Sequence, residues 1–199
     1  MAAVSFYEVS ARLTSFMRAV PLVMLSAIIP ATSELGARND REKILRTYVL
    51  ASKYVAMVTV AMAAFLVLEA GSVIRLWLGS GFDQSAFLIQ ILAIGYGANV
   101  LGGAASQTGA GVGRPEFDMR STLLLSIVNP VLSLLLVRKF GAPGAAAGTT
   151  LALIIATIYL LVAFHRNYIG TPVSAILRDV YGRPILAGVL ASLAVVGFH

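Results

Sequence analysis

The sequence predicts an all-α protein, a polytopic membrane helical bundle with five full spans and one truncated span. Three observations predict it. Of the 199 residues 58% are hydrophobic and only 12% charged, where an ordinary soluble domain carries about 25% charge. The mean hydropathy is +0.87. The apolar residues also fall in runs of about 20, the helical length that crosses about 30 Å of hydrocarbon. Such a chain makes one transmembrane helical domain over residues 1–199, with little room for a soluble catalytic domain. It has no cysteine, hence neither a disulfide framework nor a thiol nucleophile. The net charge of +6 comes from bases spread through the loops. That distribution reads as a topology signal and not as a nucleic-acid surface.

The opening MAAVSFYEVSAR lacks a basic region followed by an uninterrupted apolar run, so no cleavable signal peptide is expected. The first span covers residues 7–33 and carries charge that hydrocarbon penalises by roughly 2.5–3.5 kcal/mol per arginine, which makes an intramembrane arginine a functional-site candidate. On an ideal helix of about 100° per residue, Ser15, Ser26 and Ser33 lie within about 20° of Glu8. Arg12 falls about 40° to one side and Arg18 about 80° to the other. A span with one wet side belongs against a polar cavity, which makes Glu8, Arg12, Ser15, Arg18 and Ser26 the candidate cavity residues. Pro21 and Pro30 free backbone carbonyls that only protein or a cavity can satisfy. The alternative is an i,i+4 pair of Glu8 with Arg12 at the headgroups, with Arg18 reaching outward.

The basic connection from Arg38 to Arg46 is expected to start a short surface helix capped by Asn39 or Asp40. The second span, residues 48–69, is almost wholly apolar and reads as scaffold. Residues 71–83 hold Trp77 and Phe82 beside Arg75, an aromatic belt on an interfacial turn. The third span, 84–112, has no formal charge. Its small residues from Gly95 to Gly111 let helices approach closely, and Asn99, Ser106, Gln107 and Thr108 bond between helices or line a cavity. GAGVG at 109–113 lacks the last glycine and the strand–helix context of a dinucleotide motif. Glu116 and Asp118 sit in a turn, GRPEFDMR, with no third carboxylate or histidine nearby in sequence, and read as solvated loop. The fourth span, 121–137, has Asn129-Pro130 at its centre as a kink. The fifth, 144–164, opens on GAAAG and should pack tightly. Thr171 and Pro172 then start a short amphipathic helix on the membrane surface, with Val173, Ile176, Leu177, Val180 and Tyr181 on one face. The last apolar run, 185–199, is too short to cross, which points to an incomplete chain. His165 and His199 are far from each other and from carboxylates, so no metal site and no cofactor are expected.

Ten basic residues fall on the side of the first, third and fifth connections and three on the other. The basic side is cytoplasmic, so the first span runs from outside to inside, with Arg18 in the outer half of the membrane.

Three stretches, FYEVSARLTSFMRAVPLVMLSAIIPATSELGARND, VIRLWLGSGF and LIQILAIGYGANVLGGAASQTGAGVGRPEFDMR, together resemble the C-terminal half of polysaccharide-biosynthesis membrane proteins. These are the O-antigen-type lipid-linked oligosaccharide flippases of the multidrug/oligosaccharidyl-lipid/polysaccharide exporter superfamily, and the likeness runs over about residues 5–165. The resemblance implies two six-helix lobes facing each other across a central cavity. This chain would be the C-terminal lobe without its first helix, and its partner the missing N-terminal lobe, on the same or another chain. It implies a multi-pass protein of the inner (cytoplasmic) membrane, among membrane lipids, with a lipid-linked oligosaccharide for lipopolysaccharide or other surface glycan as substrate and no bond made or broken. The family's cavity arginines would map onto Arg12 or Arg18. Drug or cation efflux in the same superfamily, and a membrane enzyme acting on lipid-linked phosphates, are the competing readings. The first prefers acidic cavity groups, the second clustered carboxylates or histidines.

Overall fold

The structure is a computed structural model that describes residues 2–79 and 81–197. It is all-α, with no strand among the described residues, and five helical units are long and apolar enough to cross a membrane: Ser5–Ala37, Arg41–Leu78, Asp83–Gly111, Glu116–Phe140 and Ala142–Ile169. This is a multi-pass membrane protein.

The first unit is two helices, α1 (Ala2–Ser26) and α2 (Ile28–Ala37), broken at Ala27. Pro30 explains the break, because it offers no N–H to the Ser26 carbonyl four residues back and its ring crowds that turn. Asn39 then adopts a left-handed φ of 53°, and Asp40 caps α3 (Arg41–Leu78), its side chain accepting from the Lys43 N–H at 3.2 Å. The hydrogen bonds to Lys43 hold the Asp40 carboxyl below the usual carboxylate range. The 38 residues of α3 reach about 57 Å at 1.5 Å rise per residue, well beyond the hydrocarbon core. One helix thus replaces the expected surface helix, the second span and most of the expected interfacial turn, of which Gly79, Gly81 and Phe82 remain outside the helices. Gly79 and Gly81 make that turn at φ 78° and 110°, values open to glycine.

The third unit is also broken, into α4 (Asp83–Leu101) and α5 (Gly103–Gly111). The small residues at the junction let α1 come close, for a Cβ on Gly103 would collide with Leu25 Cδ1. Helix α4 is the centre of the bundle: Leu88, Ile89, Leu92 and Ala93 are wholly buried, with α1, α3 and α7 (Ala142–Phe164) around them. A Cβ on Gly95 would stand 2.7 Å from Thr150 Cα of α7. The tight packing expected of GAAAG falls between α7 and α6 (Glu116–Phe140), where a Cβ on Gly148 would lie 2.6 Å from the Ser133 backbone nitrogen. Helix α6 stays continuous through Pro130. Its Asn129 side chain bonds within and between helices, its Oδ1 accepting from Ser133 Oγ at 3.0 Å and Thr149 Oγ1 at 3.1 Å.

The chain beyond α7 corrects two expectations. A π-helical turn, His165–Ile169, ends α7, and Thr171 caps nothing: α8 (Val173–Ile176) has Pro172 at its N-cap with no side-chain cap bond. The expected surface helix and the expected short last span are one helical stretch, since α8, a π-helical turn Leu177–Tyr181 and α9 (Gly182–Gly197) follow without a gap. Residues 198 and 199 lie outside the described ones. Ile176, Val180 and Tyr181 are buried against Tyr48, Val55 and Val100, so this face meets protein instead of lipid headgroups. Tyr181 donates to the Leu101 carbonyl at 2.8 Å, and burial pushes its ionisation up to about 12. His165 is part of the same core, within hydrogen-bond distance of the Tyr48 hydroxyl at 2.9 Å and the Thr171 carbonyl at 3.2 Å. No cluster of three or more metal-ligating side chains occurs among the described residues.

Close backbone contact between α6 and α7 makes a direct prediction. Gly148→Ala must push Ser133 aside and should destabilise the fold by about 1–3 kcal/mol, whereas Gly71→Ala, whose added Cβ meets nothing nearer than 3.8 Å, should be neutral or stabilising. Thermal unfolding of both variants in detergent measures the difference.

Candidate functional site

The site is built on the flank of α1. Its buried face carries Ser10, Thr14, Met17 and Leu25 against α4, and the hydroxyls of Ser10 and Thr14 turn back to the carbonyls of Phe6 and Ser10 at 2.7 and 2.8 Å. Arg18 lies at the edge of this face, partly buried. One guanidinium nitrogen donates to Asn99 Oδ1 at 3.3 Å, and the guanidinium carbon stands 4.9 Å from the centroid of the Tyr96 ring. Both partners come from α4, three residues apart and therefore on one face. Arg18 Nε is buried with no partner among the described residues.

A polar cavity of about 140 Å³ opens beside the guanidinium. Arg18 and Leu25 of α1, Asn99 of α4, Ser106 of α5, and Asp118 and Thr122 of α6 line it. At the end remote from Arg18, Ser106 Oγ donates to Asp118 Oδ1 at 2.7 Å. Larger concavities of 430 to 510 Å³ flank α3, but their walls are almost wholly apolar. Glu69 is the one charged residue that lines any of them, so the smaller polar cavity, which brings an arginine and an aspartate together, is the candidate site.

The structure divides the five residues picked from the sequence. Arg18 is the one beside the cavity. Glu8, Arg12, Ser15 and Ser26 are exposed on the outward arc of α1, and Ser15 and Ser26 bond back to the carbonyls of Ala11 and Val23, each at 2.7 Å. Glu8 and Arg12 do not pair, since the ion pairs among the described residues are Arg38–Glu34, Lys43–Asp40 and Arg114–Glu116. Of the polar residues in the third unit, Asn99, Ser106 and Gln107 line the cavity and Thr108 is buried. Two groups escaped the sequence reading. Tyr96 looks like any aromatic in an apolar run. Asp118 was grouped with Glu116 as loop, yet Glu116 pairs with Arg114 while Asp118 turns into the cavity. The signal was the i,i+4 spacing of Asp118 and Thr122, hidden by placing the start of the span between them.

The sequence is similar to the probable low-salt glycan biosynthesis flippase Agl15 of Haloferax volcanii, with 26% identity over 175 residues, 86% of this chain and 35% of the relative. The chain therefore spans about a third of that curated relative. The fold is similar to the lipid II flippase MurJ in its inward closed conformation, with a TM-score of 0.79 at 16% identity, over 96% of this chain and 40% of MurJ. The chain has the fold of about two fifths of MurJ. The resemblance to lipid-linked oligosaccharide flippases of the exporter superfamily is thus supported in sequence by one relative and in architecture by the other. No family model matches the sequence.

The hold of α4 on Arg18 is testable by a double-mutant cycle. Asn99→Leu removes an acceptor from a partly buried cation and should cost about 1–3 kcal/mol. In an Arg18→Leu background the same change should cost much less, a coupling of at least about 0.5 kcal/mol, read from unfolding in detergent.

Proposed function

We propose that this chain forms part of a flippase that carries a polyprenyl-diphosphate-linked oligosaccharide across the cytoplasmic membrane for surface glycan synthesis, and that Arg18 meets the diphosphate. The observation that carries the reading is a guanidinium held within a membrane-spanning helix, with a polar cavity beside it and no carboxylate paired to it among the described residues. An intramembrane cation without a paired counter-charge is costly and marks a substrate path by default. A guanidinium matches diphosphate oxygens in bidentate fashion. The similarity to Agl15 and the MurJ fold support the same substrate class, since both are described as flippases of glycan biosynthesis or of lipid II.

In this reading the chain is the C-terminal lobe lacking its first helix. The outward arc of α1, with Glu8, Arg12, Ser15 and Ser26, faces the central cavity and an N-terminal lobe on the same or another chain. The two lobes rock about the bound diphosphate, so that access alternates while the lipid tail stays in the bilayer. The protein's part is electrostatic and steric, with no covalent step. Cation or drug efflux has one observation in its favour, the carboxylate of Asp118 in the same cavity. The enzyme reading gains none, because Glu116 and Asp118 diverge to Arg114 and Ser106.

In the complete protein Arg18→Ala should lower glycan export about tenfold or more, the loss expected of hydrogen bonds to a charged group, with membrane insertion unchanged. Arg18→Lys should restore part of it, as a point charge without the fork. Surface glycan, assayed beside membrane-fraction protein, is the measurement; undiminished export by Arg18→Ala removes Arg18 from the mechanism.

A further inference from the structure

Helix α6 carries a line of polar side chains that its place at the edge of the bundle does not require. Asp118, Thr122, Ser126, Asn129 and Ser133 fall within an arc of about 80° at 100° per residue. Leu123, Ile127 and Leu134 point away from that arc and are 61%, 58% and 62% exposed. The two halves of the polar line differ. Asn129 and Ser133 are satisfied inside the protein, through each other and Thr149 of α7, which closes the line at that end. Asp118 and Thr122 are exposed and line the cavity that ends at Arg18. Arg18, whose Nε is buried and unpartnered among the described residues, lines that same cavity. Polar and charged side chains of a membrane helix face a water-filled space or one another, and these face a space large enough for several waters.

We infer a water-filled crevice inside the lobe, between α1 and α6, that enters beside Asp118 and reaches the guanidinium of Arg18. The crevice hydrates Arg18 from within the bundle, and Asp118, which makes no ion pair with it, is the anionic group at its mouth. It follows from the polar line and the cavity alone and stands whether or not Arg18 meets a diphosphate. It also accounts for how the cation is tolerated when nothing is bound.

The absence of cysteine makes the test direct. Single substitutions Thr122→Cys, Ser126→Cys, Leu123→Cys and Ile127→Cys in the full chain are exposed, in sealed membrane vesicles of either orientation, to membrane-impermeant methanethiosulfonates bearing a trimethylammonium or a sulfonate. Thr122→Cys should react from the side that carries Asp118 about tenfold or more faster than Leu123→Cys and Ile127→Cys, because a thiol in lipid does not ionise. Ser126→Cys, deeper in, should fall between them. The cationic reagent should outpace the anionic one at Thr122→Cys by about threefold, and Asp118→Asn should abolish that bias. Rates at Thr122→Cys and Ser126→Cys no higher than at Leu123→Cys would mean that lipid or another helix fills the seam, and would overturn the crevice. Reaction without charge bias would overturn Asp118 as its anionic end. If Asp118→Asn fails to fold, Ser106→Ala, which releases the same carboxylate, should alter the bias in its place.

Discussion

A bilayer gives a polar group nothing to bond to, and most of this helical bundle can be understood as an answer to that constraint at one residue. Arg18 enters the membrane on α1, and α4 meets it with a carbonyl oxygen from Asn99 and the face of Tyr96. Neither carries charge. The bundle therefore positions the cation without neutralising it, and an unneutralised guanidinium remains available to an anion. A carboxylate in place of Asn99 would have stabilised the apo lobe and cancelled the attraction for a phosphate.

Positioning of that kind requires the first and third membrane-spanning units, α1–α2 and α4–α5, to lie close and in fixed register. Small residues supply the closeness: Gly103 admits Leu25, and a Cβ on Gly111 would collide with Thr32 Oγ1. Hydroxyls supply the register, as Ser10 Oγ donates to the Ser85 carbonyl at 3.0 Å near one end and Ser33 Oγ to the Gly111 carbonyl at 2.8 Å near the other. Arg18 sits between these two fastenings. The same economy appears between α3 and α4, where Gln90 donates to the Val67 carbonyl at 2.8 Å. Hydrogen bonds of this sort add modestly to packing in membranes, but they fix which turns face each other.

The all-α membrane class was legible because composition and run length are themselves the physics of the bilayer. Breaks and continuities within the helices were less so. Pro30 goes with a break at Ala27, whereas Pro130 lies inside α6 without interrupting it. Charge misled in two places. The basic residues at the start of α3 suggested a separate surface helix, yet a helix longer than the membrane is thick can carry its own charged end into water. The apolar face from Val173 to Tyr181, with the charges of Arg178 and Asp179 off it, suggested a helix lying flat, whereas Ile176, Val180 and Tyr181 are buried in the core. Within the site, periodicity on one helix found Arg18. It could not find Tyr96 or Asp118, whose importance depends on which helix stands opposite.

Opposition between helices also separates the two arginines that the sequence left equivalent. On the helix Arg12 and Arg18 stand about 120° apart, on either side of the exposed arc that carries Glu8 and Ser15. The opposite face carries Met17, 2% exposed in an apolar cluster with Ile74 and Ile89, so what separates the two arginines is depth and the helix each one meets. Arg12 is exposed, six residues nearer the start of α1, where a long side chain can reach an interface. Arg18 lies farther into the span and is gripped by α4. Any anion that this helix holds within the membrane, and not at its surface, must therefore be held at Arg18, and Arg12 can contribute only from the rim.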